Sequence, residues 1–194
     1  MTRQPVRAAF LDRDGTLIEE VGYLSRVDQV ALYPWSIDAI RLLNRAGLRV
    51  IVTTNQAGVA RGYFSEAAVH DVHRHIDAIV TEGGARIDAY YYCPHHPDGK
   101  VEAYTRACEC RKPGPGLVDR AAQELGIDPA RSFVVGDRWL DIQLARAVGA
   151  RGVLVRTGYG MTEHARPIPD VVADVVADNL IDATAWILRN LTTT

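Results

Sequence analysis

Two carboxylates stand two residues apart in the run Asp12-Arg13-Asp14-Gly15-Thr16, directly after the apolar stretch Val6–Leu11. If that stretch is a buried strand of a parallel sheet, both acids project where such sheets bind their ligands, beyond the carboxyl ends of the strands. Asp12 by itself is also an ordinary turn or helix-capping residue. The Asp-x-Asp-Gly pattern also opens calcium loops, but those require an acid at the twelfth position, where this chain has Tyr23. Three later segments suit phosphate chemistry better. Thr53-Thr54-Asn55-Gln56-Ala57-Gly58 offers a hydroxyl and main-chain N–H groups to a phosphoryl oxygen. Arg111-Lys112-Pro113 offers a compact ammonium and a planar guanidinium, two ways of holding anions. Gly136-Asp137-Arg138-Trp139-Leu140-Asp141 offers Asp137 as an oxygen ligand for a hard cation such as Mg²⁺. Asp141 reads equally well as a charge in the first turn of the next helix. Alone, the last three segments are common turn or surface sequence.

A second cluster has a different chemistry. Cys93-Pro94-His95 and Cys108-Glu109-Cys110 bring together all three cysteines and one imidazole, a complete tetrahedral set for zinc with no position open to water. His96 is the rival ligand. Alternation along the chain favours His95 and leaves His96 exposed. The bland reading is three buried free thiols beside an unrelated histidine. Pro94, Pro97, Gly99, Pro113, Gly114, Pro115 and Gly116 interrupt all periodicity here, and so long a loop in a compact domain asks for a staple. Such a zinc is structural, and it fixes the segment that delivers Arg111 and Lys112.

The elements that must position these groups alternate short apolar runs with amphipathic segments, the pattern of an α/β domain with a mainly parallel sheet. Strands are expected at Val6–Leu11, Val50–Thr53, Ile87–Tyr92, Ser132–Val135 and Gly152–Val155. Helices are expected at Ser36–Ala46, Leu140–Val148 and Leu180–Leu188, with a longer one capped by Ser65 and burying Val69, Val72, Ile76 and Ile79. Residues 1–194 read as one domain, with a frayed tail at 191–194.

Composition narrows the partners. With 47% hydrophobic residues, 24% charged residues and a net charge of −2, the chain is an ordinary globular protein without the basic stripe of a nucleic-acid binder. No apolar run approaches the ~20 residues that span a bilayer, and the first residues do not read as a secretion signal. The expectation is a cytoplasmic monomer acting on a small molecule, with no nucleic-acid or membrane partner.

Taken in chain order, the strand-end acid pair, the hydroxyl, the lysine and the later acid resemble the haloacid dehalogenase superfamily over nearly the whole sequence. The resemblance implies a Rossmann-like, doubly wound sheet. It implies Asp12 as a nucleophile toward phosphorus, Asp14 as general acid and base, and Thr54 and Lys112 as contacts to the phosphoryl group. Asp12, Asp14 and Asp137 would hold Mg²⁺. Within the superfamily, Cys93-Pro94-His95-His96-Pro97, Cys108-Glu109-Cys110-Arg111-Lys112-Pro113, Thr54-Asn55-Gln56 and Ala60-Arg61-Gly62 resemble the heptose bisphosphate phosphatases of lipopolysaccharide-core and related heptose synthesis. That branch lacks a large cap domain, and no insertion here is long enough to be one. The resemblance assigns a sugar bisphosphate to a pocket shaped by Glu20, Val21, Gly22 and Tyr23, by Thr54, Asn55, Gln56 and Ala57, and by Arg111 and Lys112. Arg138 stands where the branch often has lysine. Histidinol-phosphate phosphatases share the catalytic set and a similar zinc loop, generally with a shorter spacer. Polynucleotide 3′-phosphatases share the first two motifs, and a zinc-stapled binding module without activity is the reading from outside the enzymes.

Overall fold

The computed structural model describes residues 6–191. Six parallel strands make one sheet in the order β3-β2-β1-β4-β5-β6: β1 (Ala8–Leu11), β2 (Arg49–Asn55), β3 (Ala89–Cys93), β4 (Phe133–Gly136), β5 (Arg151–Val155) and β6 (Val175–Ala177). The helices are α1 (Ser36–Arg45), α2 (Ala57–Ala60), α3 (Glu66–Glu82), α4 (Gly116–Leu125), α5 (Trp139–Ala147), α6 (Gly160–His164) and α7 (Leu180–Asn190).

Strand alternation divides the core between the two faces of the sheet. Ala9, Leu11, Val50 and Val52 face a cluster with Ile40 and Leu43 of α1, Ile76 of α3 and Ile187 of α7. Ala8, Phe10 and Ile51 face the opposite cluster with Leu117 and Val118 of α4 and Leu144 of α5. All four residues of β1 are fully buried, as a central parallel strand covered on both faces requires. Burial of a side chain such as Phe10 or Ile51 stabilises the fold by about 1.5–3 kcal/mol.

The chain winds outward from β1 to β3, then returns to the other side of β1 for β4, so the order reverses at β1 and β4. That crevice is where doubly wound sheets take their ligands. Asp12 and Asp137 are the residues immediately beyond those two strands, and Thr54 lies at the end of β2.

The expected strands and helices are present with ends shifted by one or two residues. Ser65 caps α3 through an Oγ that accepts from Ala68 N–H at 3.3 Å. The buried stripe of α3 is Val69, Val72, His73, Ile76 and Val80, so Ile79, expected inside, is only half-buried. Four elements were not expected: α2, α4, α6 and β6. The expected frayed tail lies, beyond Leu191, outside the described residues. Among the described residues, no helix is long and apolar enough to cross a membrane.

Candidate active site

Lys112 is the hub of the site. Its ammonium donates to Asp12 Oδ1 at 2.6 Å, to Asp141 Oδ1 at 2.6 Å and to the Thr53 carbonyl at 2.9 Å, which uses all three protons. The side chain is 1% exposed. A buried ammonium is costly unless paired, and here two carboxylates and a carbonyl keep it charged, raising its pKa against the opposing effect of burial. Asn55 holds the Lys112 backbone in place. Its amide donates to the Lys112 carbonyl at 3.1 Å and accepts from the Lys112 N–H at 3.0 Å. The cation from the loop is thus bolted to the end of β2.

Asp12, Asp137 and Asp141 have carboxylate oxygens within 4.8 Å of one another, and all three are buried. Burial pushes the Asp12 carboxyl up to about 7; Lys112 pulls the other way, while Asp141 and Asp14 add to the rise. Burial likewise pushes Asp137 up to about 8, with Asp12 adding to it. Three acids and one ammonium leave negative charge uncompensated. Asp137 Oδ1 is buried without a hydrogen-bond partner, whereas Oδ2 accepts from Tyr159 N–H at 2.8 Å. An orphaned carboxyl oxygen beside two further carboxyl groups, each costly to ionise unless a cation offsets the charge, is the donor set of a hard cation, so these residues fit Mg²⁺.

Two glycines make that geometry possible. Gly15 (φ +80°) and Gly158 (φ +54°) pack so tightly on Asp137 that a Cβ at either position would stand 2.2 Å from Oδ2. Replacement Gly15→Ala is therefore expected to turn Asp137 and strain the backbone together. The expected outcome is at least a ~10-fold rise in the Mg²⁺ concentration for half-maximal activity, with a smaller change in saturated kcat, because a displaced ligand weakens metal sites by 10–100-fold. A titration of activity against Mg²⁺ checks this.

Asp14 points elsewhere. Its carboxylate accepts from Arg13 Nη2 at 3.0 Å and from Gln56 Nε2 at 3.1 Å, with Thr54 Oγ1 at 3.4 Å. Its side chain lies outside the group of carboxylates that Asp12 and Asp137 form with Asp141; the expected Mg²⁺ set was Asp12, Asp14 and Asp137. Asp141 is 1% exposed and faces the site, which answers the ambiguity between a charged helix turn and an active-site group.

The acids and Lys112 form the floor of a cavity of about 300 Å³. Glu20, Gly22, Tyr23, Asn55, Gln56, Ala57, Arg111 and Arg138 line it, as expected, but Val21 does not. Val21 is 47% exposed. Arg138 lies over the Tyr159 ring, 5.0 Å from its centroid, and 3.6 Å from Glu163. His96, expected to be exposed, is part-buried and lines the cavity beside Arg61, whose Nη2 lies 3.5 Å from Nε2. Arg61, Gly158 and Tyr159 carried no assigned role. For the last two, a Thr157-Gly158 turn directly after an apolar strand was the available signal.

At the rim, Cys93, His95, Cys108 and Cys110 bring their ligand atoms within 4.8 Å of one another. His95 Nδ1 is 3.3 Å from the Cys110 sulfur, and the three sulfurs lie 3.1–3.5 Å apart without a disulfide. Burial raises the Cys93 and Cys110 thiols, so bare sulfurs at these distances are poorly matched partners. Three thiolates and one imidazole with no open position fit a structural zinc.

Comparison with known proteins agrees with this geometry. The polynucleotide kinase 3 phosphatase model matches residues 7–142, and the HAD-hydrolase-like model matches residues 109–183. The D-glycero-beta-D-manno-heptose-1,7-bisphosphate 7-phosphatase of Yersinia pestis is 42% identical over 90% of this chain and 94% of its own. The protein of that name from Escherichia coli (strain K12) is 43% identical over 89% of this chain and 91% of its own. The crystal structure of D,D-heptose 1,7-bisphosphate phosphatase from B. bronchiseptica, complexed with magnesium and phosphate, superposes with a TM-score of 0.84. It is 31% identical and covers 95% of this chain and 99% of that one. With the carboxylate cluster, the buried lysine and nearly full-length likeness in agreement, the chain is a phosphatase of the HAD superfamily and belongs to the heptose 1,7-bisphosphate 7-phosphatase family.

Proposed function

We propose that the enzyme removes the 7-phosphate of D-glycero-beta-D-manno-heptose 1,7-bisphosphate through an aspartyl phosphate on Asp12. The observation that carries this reading is the buried Lys112 ammonium held 2.6 Å from the Asp12 carboxylate at the switch point of the sheet. A carboxylate approaching a phosphate dianion at ~4 Å meets several kcal/mol of repulsion at an effective dielectric of ~20. Lys112 lowers that barrier, and bound Mg²⁺ supplies further positive charge to the transferring phosphoryl group.

In the first step an Asp12 oxygen forms a bond to phosphorus, the bond from phosphorus to the C7 oxygen breaks, and Asp14 gives its proton to the departing alkoxide. In the second step water attacks phosphorus and the bond to Asp12 breaks, while Asp14 takes a proton from the water. Thr54 Oγ1 and Lys112 Nζ hold phosphoryl oxygens. Asp12 and Asp137 supply carboxylate ligands to the cation. Asp14 completes the expected set, and its carboxylate, turned to Arg13 and Gln56, lies outside the Asp12–Asp137–Asp141 cluster. Cys93, His95, Cys108 and Cys110 hold zinc as a staple. Arg111, half-buried at the cavity wall, is assigned to the distal phosphate. The beta anomer is assigned from the names of the 42–43% identical relatives.

Values of kcat/KM on the beta and alpha heptose 1,7-bisphosphates, fructose 1,6-bisphosphate and histidinol phosphate test the assignment. The beta heptose is expected to lead each rival by more than about tenfold, which corresponds to ~1.4 kcal/mol of transition-state discrimination. Histidinol phosphate leading by that margin would overturn the substrate and leave the chemistry standing. The match to a polynucleotide 3-phosphatase model makes a 3′-phosphorylated oligonucleotide the fifth substrate of the panel. Without a basic stripe it is expected to be the poorest.

A further inference from the structure

The most deeply buried charge outside the carboxylate cluster is Arg13, at 1% exposure between the two acids of the first motif. Its guanidinium has two jobs. Nε and Nη2 both donate to the Asp14 carboxylate, at 3.2 Å and 3.0 Å. Nη1 points the other way, to His73 Nε2 on α3 at 3.2 Å. Because an arginine can only donate, His73 must accept, which places its proton on Nδ1. Burial holds the ring neutral, pushing its pKa down to about 3, with the Arg13 charge acting in the same direction.

The histidine is itself fixed. Its ring stacks on Tyr90 at 4.7 Å with 22° between planes, and meets Tyr92 edge-on at 5.8 Å. Both tyrosines belong to β3. A rigid relay therefore runs from β3 through His73 and Arg13 to Asp14. The relay also differentiates the two oxygens of Asp14. Arg13 Nε is shared between Oδ1 and Oδ2 at 3.2 Å each, but Nη2 donates to Oδ1 alone, while Oδ2 is the one facing Gln56 Nε2 and Thr54 Oγ1.

We propose that His73 is a positioning residue that, through Arg13, directs the proton of Asp14 to the oxygen beside Thr54, where the departing ester oxygen must receive it. This rests on the acid–base role proposed above for Asp14. A planar fork held at its far end cannot swing, so the carboxylate it grips keeps one orientation. Without the histidine, a buried N–H of Arg13 loses its acceptor, and the guanidinium and Asp14 gain freedom to turn.

The test exploits the leaving group. Protonation of the departing oxygen matters for an alkyl phosphate, whose alkoxide is a poor leaving group, and little for p-nitrophenyl phosphate. The parameter is kcat/KM, which reports transfer to Asp12 irrespective of the later hydrolysis. His73→Phe, which keeps the stack on Tyr90 but removes the acceptor, is expected to lose about 10-fold or more on the heptose bisphosphate and less than about 2-fold on the aryl ester, a fraction of the 10²–10⁴-fold worth of general acid catalysis. His73→Gln, whose amide oxygen can accept from Nη1, is expected to recover the sugar substrate to within about 3-fold, since it restores the one hydrogen bond at issue. Arg13→Lys, which keeps the charge but cannot reach both partners, carries the same selective loss if His73→Phe does not fold. Parallel losses on both substrates, or no rescue by glutamine, would overturn the proposal and reduce His73 to a packing residue. Asp14→Asn is the control that separates the two levels. If it too fails to distinguish the substrates, the role of Asp14 is wrong; if it discriminates and His73→Phe does not, only the relay is wrong.

Discussion

Asp12→Asn is expected to lower kcat by more than about 10⁴-fold, because an amide oxygen is a poor nucleophile and covalent catalysis has no substitute at this position. The variant should nonetheless fold, and its stability carries a second signature of the site. Asp12 is one of three buried carboxylates around one ammonium, and Lys112 keeps Asp141 as a partner when Asp12 is neutralised. Burial raises the Asp12 carboxyl from its ordinary value to about 7 in the folded protein. The unfolded chain gives up that proton at lower pH, so between about pH 4 and 7 the folded state binds more protons and stability falls as pH rises. Asparagine removes this cost. Free of divalent cation, Asp12→Asn is expected to melt above the wild type at pH 8, with the difference closing toward pH 4. Mg²⁺ should reverse the order by stabilising the wild type more at pH 8 than at pH 5.5, because cation and protons compete for the same carboxylates. Residual activity within tenfold of wild type, or the same melting difference at both ends of the pH range, would contradict the assignment. Beryllium fluoride should leave its adduct on Asp12 in the wild type and none in the variant.

Much of this arrangement was legible because it depends on local sequence. A fully apolar strand ending abruptly in Asp12, a second ending in Thr54 and a third ending in Asp137 place three groups at one sheet edge without knowledge of any side-chain contact. The gathering of Cys93, His95, Cys108 and Cys110 is likewise a matter of ligand type and spacing. What could not be read is what tertiary packing decides. Asp141 is one helical turn beyond Asp137 and looks like any acid in a first turn, until Lys112 arrives from another segment to bury it. Asp14 shares a motif with Asp12, yet Arg13 and Gln56 draw its carboxylate away from the cation cluster. His96 alternates with a zinc ligand and should face water, but the loop turns back so that the ring lines the cavity near Arg61. Helix α4 was hidden by its own beginning. Gly116 follows two prolines and another glycine, so the buried Leu117, Val118 and Ala121 read as loop until the αL stop at Gly126 (φ +66°) is seen.

Removing the zinc proposed for the Cys93–His95–Cys108–Cys110 site is the other change with a large expected effect. The metal is remote in chemistry from phosphorus but close in sequence to what the reaction needs: Cys110 is two residues before Lys112. Besides the partners of its ammonium, that lysine has the Asn55 amide on its backbone and the Cys93–His95–Cys108–Cys110 cluster on its loop. From Pro94 to Pro115 the described regular structure is one three-residue turn, Glu102–Tyr104, and the ties of that segment to Ala60 and Glu66 lie away from Lys112, so Asn55 is the only backbone tie at the lysine itself among the described residues. Chelation, or Cys110→Ser, is therefore expected to lower kcat/KM by about 100-fold or more, since displacing a catalytic group by ~1 Å already costs on that order. The melting temperature should fall by about 10 °C, the equivalent of a few kcal/mol in a domain of this size. The metals should not substitute for one another. Excess Mg²⁺ leaves the chelated enzyme inactive, zinc restores it, and Asp12→Asn retains one equivalent of zinc while turning over no substrate. A chelated enzyme that works normally with Mg²⁺ would mean that Asn55 and the packing of α4 suffice to deliver Lys112, and that the four ligands hold nothing the reaction depends on.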